Sequence, residues 1–181
     1  MNLLRTSFFS LCVLLFVGQS SWGQSHLYFA TAAETFWDSS AKIKVRKLTK
    51  GECVLIENTD LYKKKFLYAT SVKDGKAGFI DKDHVKFEKT YFPDSVGNHP
   101  LEFARKEYQI PFVRLINASR NAKIKIIMGT VTYELKPGEK REFHTKAGTQ
   151  RFKVLAPGFQ PLYTQETFQS NHISELEFYL D

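Results

Sequence analysis

The sequence predicts an all-β protein built in two blocks, the second of them a seven-stranded β-sandwich. Three observations carry that prediction. Beyond the N-terminus no stretch keeps a helical apolar period between capping signals, whereas short alternating or β-branched runs recur. Turn dipeptides separate those runs every 8–12 residues or so in the C-terminal half, the spacing of a sandwich. Aromatic residues make up 14% of the 181 residues, through 16 Phe and 8 Tyr, and such side chains favour the pleated surface of a strand. The rest of the composition, 43% hydrophobic and 25% charged, is that of an ordinary globular chain. It excludes a collagen-like, largely disordered or multi-span membrane protein.

The first element is an export leader. Residues 1–5 carry one positive charge, residues 7–18 are an apolar run, and Ser21-Trp22-Gly23 puts small residues where a signal peptidase reads. Cleavage is expected between Gly23 and Gln24. The run is shorter than the roughly 20 residues of a membrane-spanning helix, so no stable span is expected after cleavage. Cys12 lies inside the apolar run behind the bulky Leu11, which argues against lipid attachment. Removal of the leader leaves Cys53 as the only thiol and lowers the formal charge from +7 to +6. An exported chain without disulfides must be stabilised by packing, which suits the periplasm or outer surface of a bacterial envelope. Its basic balance favours anionic surfaces such as cell-wall polymers, besides keeping the chain soluble.

The first block spans residues 24–90. Residues 42–48 alternate strictly, giving a strand with one basic wet face. Gly51 ends it, and Cys53-Val54-Leu55-Ile56 follows as a more buried strand. Residues 66–72 and 77–80 flank Lys73-Asp74-Gly75-Lys76, whose Asp-Gly pair suits a tight hairpin. After Phe87 the pattern lapses. Residues 88–109 contain Pro93, Gly97, Asn98 and Pro100, then a mixed stretch long enough for one or two helical turns. We read this as connecting chain, with residues 91–109 as the linker proper.

The second block, residues 110–181, offers seven strands: 112–117, 123–128, 131–135, 141–145, 151–156, 162–168 and 173–180. Turn signals lie between them, among them Lys136-Pro137-Gly138-Glu139, with Pro and Gly where a type II turn prefers them.

Residues 26–87 resemble the bacterial SH3-like domain, a small bent barrel found on exported cell-wall proteins. The likeness lies in Leu48-Thr49-Lys50-Gly51-Glu52-Cys53-Val54, in the hairpin that follows, and in Gly75-Lys76-Ala77-Gly78-Phe79-Ile80, with Phe79 where that family has Trp. The resemblance implies a small barrel with Gly78 allowing close backbone approach, Phe79 plugging the core, and a shallow groove for peptides or cell-wall components. Glu34-Thr35-Phe36-Trp37-Asp38-Ser39-Ser40 stands where the family has an Asn-Val-Arg-x-Gly-Pro stretch lining that groove. Residues 110–181 are similar, more loosely, to PEGA-like or immunoglobulin-like sandwiches, through Val113-Arg114-Leu115-Ile116-Asn117, Leu135-Lys136-Pro137-Gly138-Glu139 and Ala156-Pro157-Gly158-Phe159.

Catalytic patterns are sparse. His26, His84, His99, His144 and His172 are scattered without metal-ligand spacing, so no metal or cofactor is expected. Cys53 is the only candidate thiol nucleophile, yet its mid-strand setting reads as a small buried hydrophobe. Asp81 and Asp83 read as solvated turn residues. Tyr62-Lys63-Lys64-Lys65-Phe66 mixes basic and aromatic residues as nucleic-acid binders do. In an exported chain it reads instead as a hairpin tip, with an anionic polymer as its second reading, and no nucleic-acid partner is expected. Asn117-Ala118-Ser119 matches a glycosylation sequon that matters only in a eukaryotic secretory pathway.

Four aromatics, Phe36, Trp37, Tyr68 and Phe79, are the candidate ligand contacts, against the alternative that Tyr68 and Phe79 are core and only Phe36 and Trp37 exposed. The expected function is that of an exported, non-catalytic binding or scaffolding module for a peptide, cell-wall polymer or envelope protein. A structural subunit whose sandwich edges pair with another envelope protein is the alternative, and a hydrolase using Cys53 comes last.

Overall fold

The computed structural model describes residues 24–38, 42–92 and 99–180. The expected leader with Gly23, and Ser39 and Ser40 of the groove stretch, lie outside the described residues. The described residues are all-β apart from one α-helix and one 3-10 turn.

The first block forms seven strands: β1 (Ser25–Ala30), β2 (Glu34–Trp37), β3 (Lys44–Leu48), β4 (Cys53–Ile56), β5 (Phe66–Ser71), β6 (Ala77–Asp81) and β7 (Val85–Tyr91). They make one antiparallel sheet in the order β3-β2-β6-β5-β4-β1-β7. One apolar cluster holds Ala30, Phe36, Leu48, Val54, Ile56, Leu67, Ala69 and Ile80, with Tyr28 and Val85 against it. Side chains from all seven strands meet there, so the sheet curls around them. On β5, Leu67, Ala69 and Ser71 point inward while Phe66, Tyr68 and Thr70 point outward, the alternation a pleat imposes.

β4 does not alternate. All four of its residues are buried because both of its faces are covered. Val54 and Ile56 enter the curled core, while Cys53 and Leu55 join a second cluster with Leu27, Phe29, Val72, Ala104, Tyr108 and Ile173. The cover for this outer face comes partly from residues expected to be connecting chain. Residues 88–91 complete β7, and α1 (Pro100–Glu107) follows. The His99 side chain accepts from the Leu101 amide at 3.2 Å, and Pro100 stands in the first turn, where its missing N–H is harmless. The helix buries Pro100 and Ala104 against the sheet. Arg105 donates to the Val72 carbonyl at 3.1 Å, and Glu107 takes the Tyr91 hydroxyl at 2.7 Å together with Lys89.

All seven strands expected in the second block form: β8 (Phe112–Asn117), β9 (Ile124–Met128), β10 (Val131–Leu135), β11 (Lys140–His144), β12 (Gly148–Leu155), β13 (Leu162–Phe168) and β14 (Ile173–Phe178). A four-stranded sheet, β10-β9-β12-β13, faces a three-stranded one, β11-β8-β14, in which β14 runs parallel to β8. Between them pack Val113, Leu115, Ile124, Ile126, Met128, Leu135, Phe152, Val154 and Phe168, the inward members of alternating strands. Tyr133 stacks on Phe143 with centroids 4.6 Å apart. Asn117 is buried, its amide donating to the carbonyls of Ala122 (2.8 Å) and Leu135 (3.1 Å). That amide is therefore a clamp between loop and sheet rather than a free sequon acceptor.

The blocks join at the turn into β4. The Cys53 amide donates to the Asn171 carbonyl (3.0 Å), the Ile173 amide to the Gly51 carbonyl (2.8 Å), and the Asn171 amide to the Tyr108 carbonyl (2.6 Å). A second tie is Arg114 on β8, which pairs with Glu88 (2.7 Å), Glu142 (2.5 Å) and Glu175 (2.9 Å), while Lys86 also reaches Glu175. Gly51 sits at φ +84°, and a Cβ there would lie 2.5 Å from the Ile173 carbonyl oxygen. Gly51→Ala combines left-handed strain with a backbone clash and is expected to cost about 2 kcal/mol or more in a denaturant titration. A cost within 0.5 kcal/mol or so, the range of ordinary surface substitutions, would contradict this reading of the junction.

Candidate functional site

The strand register decides which aromatics are available to a ligand. Trp37 on β2 stands opposite Lys44 on β3 and opposite Phe79 on β6, and Phe79 stands opposite Tyr68 on β5. Lys44, Trp37, Phe79 and Tyr68 therefore form a single row across four neighbouring strands on the outer face of the sheet. Tyr68 is 51% exposed, and Trp37 and Phe79 are half-buried. The Tyr68 and Phe79 rings meet edge to face at 5.3 Å, a favourable arrangement for two aromatic quadrupoles.

Phe36 does not belong to this row. It is wholly buried in the curled core, with the Arg46 guanidinium 5.8 Å above its ring. Phe79, in turn, does not plug that core, which Ile80 does. Two local features set this arrangement. A bulge in the β2–β3 pairing falls between Phe36 and Trp37. Gly78 faces inward with Ile80, and a Cβ there would lie 2.6 Å from the Trp37 carbonyl oxygen, so only glycine lets β2 approach β6 this closely. The parity of β6 held the signal: with Gly78 and Ile80 inward, Phe79 must face out.

Tyr62, absent from the expected contacts, completes the row. Its ring lies 4.7 Å from that of Phe79 at a shallow 34° angle. It is carried there by a tight turn: the Phe66 amide donates to the Tyr62 carbonyl at 2.9 Å, and the Tyr62 amide to the Phe66 carbonyl at 2.8 Å. Lys63 lies 5.0 Å above the Tyr62 ring. Lys65 pairs with Asp81 at 2.7 Å. Asp81 is thus not a solvated turn residue but a buried cap, accepting from the Asp83 amide at 3.0 Å to start the 3-10 turn Lys82–His84. The Lys65 ammonium holds the Asp81 carboxyl below the usual carboxylate range, working against its burial.

Behind the row lies a buried polar network. Glu52, 1% exposed, accepts from Arg46, from the Ser71 hydroxyl (3.1 Å) and from the Thr49 amide (3.2 Å). Arg46 reaches on to Asp74 at 3.4 Å. His172, from the second block, closes the network through Thr49 at 2.6 Å. Its Nδ1 lies 2.7 Å from the Ser170 carbonyl, which can only accept, so Nδ1 carries the proton and the neutral ring's Nε2 accepts the Thr49 hydroxyl.

Among the described residues no group of three or more His, Cys, Asp or Glu side chains is arranged to hold a metal ion, and no helix is long and apolar enough to cross a membrane. Cys53 is fully buried in β4, and burial pushes its thiol far above the ordinary range, the reverse of an activated nucleophile. Comparison with models of known protein families finds no match, and comparison with curated proteins finds none either.

Two outcomes follow from these environments. Cys53 is expected to label slowly with an alkylating reagent in the native protein and quickly in denaturant, with Cys53→Ser costing more stability than Cys53→Ala because the hydroxyl lacks a buried partner. Rapid labelling of the folded protein would contradict the packing described. The second concerns His172, whose pKa is lowered chiefly by burial. Its folded-state pKa lies below the unfolded value, so its contribution to stability is complete above about pH 6.5 and fades as the pH falls through the folded pKa. Denaturation midpoints are expected to drop between pH 7.5 and pH 5, and the drop to flatten in His172→Asn; an unchanged slope in that variant would assign the effect elsewhere.

Proposed function

We propose that the protein is an exported, non-catalytic binding module that holds a peptide or cell-wall component on the outer face of the first block, with the sandwich as spacer or second contact surface. The observation that carries this reading is the row Trp37–Phe79–Tyr68, extended by Tyr62. These rings lie on the outer face of the sheet rather than inside its core. Aromatic side chains held by their neighbours offer contact area at little entropic cost, which is why Tyr and Trp dominate binding hot spots. The resemblance of residues 26–87 to bacterial SH3-like domains points the same way, as does the basic character of the chain.

Co-sedimentation with isolated peptidoglycan tests this. Wild-type protein is expected to pellet with it, and Tyr68→Ala, altered at the most exposed ring of the row, to bind about tenfold more weakly with unchanged stability. Failure of the wild type to bind, or equal binding by the variant, would remove the cell-wall reading.

A second reading, an assembly subunit of an envelope complex, rests on one edge of the sandwich. Strand β13 carries neither Lys, Arg nor Pro, and it exposes Leu162 and Tyr163. Edge strands β10 and β14 lack such residues too, whereas β3, β7 and β11 carry basic ones that discourage pairing; what sets β13 apart is its exposed pair Leu162 and Tyr163. An envelope protein that co-purifies with the wild type and is lost in Gln165→Pro would favour this second role.

A further inference from the structure

The turn that carries Tyr62 is strained. Lys63 and Lys64 adopt φ +51° and +60°, two consecutive left-handed residues. L-residues with a Cβ avoid that region, and hairpin turns that need two such residues in succession favour Asn-Gly. Lysine contributes nothing to the turn that Asn-Gly would not do better. What it contributes is charge beside the aromatic row. Of the three lysines, Lys65 is committed to Asp81 and Lys63 lies over Tyr62, whereas Lys64 is exposed and has no ion-pair or hydrogen-bond partner among the described residues. A fourth ammonium, Lys44, stands at the far end of the row, opposite Trp37.

The row spans three inter-strand steps, about 14 Å, which matches about four residues of extended peptide. It has apolar rings along its length, Lys44 at one end, and Lys63 beside Phe79 by way of the Tyr62 ring. We infer that this face takes a short, extended peptide bearing carboxylates, and that Lys63 and Lys64 are kept in a strained turn because their charge recognises those carboxylates. The inference rests on the binding reading above and adds the charge and class of the ligand. Local backbone strain that a neutral sequence would relieve is the mark of a position held for function rather than for folding.

The test uses the whole protein and the fluorescence of Trp37, the only Trp after residue 22. Poly-L-glutamate is the peptide probe and alginate, an acidic polysaccharide, the control. Wild-type protein is expected to bind poly-L-glutamate, more weakly as salt rises from 50 to 200 mM, and to bind alginate at least tenfold less well. Lys63→Asn with Lys64→Gly is expected to raise the melting temperature by several degrees and to weaken peptide binding about tenfold. Lys63→Gln with Lys64→Gln, which removes the charge and keeps the left-handed turn, is expected to weaken binding equally without the gain in stability.

A stabilised Asn-Gly variant with unchanged affinity would overturn the role of the turn while leaving the aromatic reading intact. Tyr68→Ala binding as tightly as wild type would instead overturn that reading itself. An Asn-Gly variant no more stable than wild type would remove the premise of strain. Preference for alginate, or no binding of poly-L-glutamate, would remove the peptide assignment.

Discussion

The structure depends on the short backbone exchange between the turn into β4 and the turn into β14. Gly51 and Cys53 on one side and Asn171 and Ile173 on the other trade backbone hydrogen bonds, and Gly51 is the residue whose missing Cβ permits the approach. Gly51, Glu52, Cys53, His172 and Ile173 are all buried at this contact. Ile173 caps the outer cluster over Leu27, Cys53 and Leu55, and Glu52 is sealed into the junction with 1% exposure. A carboxylate so enclosed must be paired, because one left alone would cost several kcal/mol, and Arg46, Ser71 and Thr49 meet that need.

From that pair the consequences run to the aromatic face. Arg46, held by Glu52 and Asp74, lies over the Phe36 ring and fixes β3 against β2. With Phe36 locked inward, strand alternation turns Trp37 outward, the bulge at Val45 sets Lys44 opposite it, and Gly78 brings β6 close enough for Phe79 to stand beside it. A buried ion pair of this sort adds little net stability over an apolar replacement. Its effect here is positional: it fixes which aromatic faces the core and which faces solvent. The sandwich contributes His172 to the same network, so the second block bears on the geometry of the first although none of its residues belongs to the row.

What could be read in the sequence, and what could not, follows from how local each signal is. The seven sandwich strands were legible because each buries one face only, so that Val113-Leu115, Ile124-Ile126-Met128 and Phe152-Val154 alternate visibly. Strand β4 was legible as a continuous apolar run. Strands β1, β2 and β7 were not: β1 packs on both faces, β2 has only four residues, and β7 is a basic edge whose pattern dissolves into the following loop. Helix α1 was legible only as one or two helical turns within connecting chain, because Ala104 and Tyr108 are buried by a sheet face nearly 50 residues earlier in the chain. Phe36 and Phe79 exchanged places relative to expectation for a similar reason. Their facing follows strand parity, with Phe36, Gly78 and Ile80 inward and so Trp37 and Phe79 outward, but which parity faces the core is set by contacts between strands.

Native-state hydrogen exchange tests the central claim, that the junction binds the two blocks into one cooperative unit and thereby sets the aromatic face. The informative amides are Cys53 and Ile173 at the junction, with Val54 and Ile80 for the first core and Leu115 and Phe152 for the second. The account requires all six to exchange with a common opening free energy that shifts together as denaturant is added. Junction amides that open at markedly lower free energy, while each core keeps its own distinct protection, would contradict it and leave two blocks that merely touch.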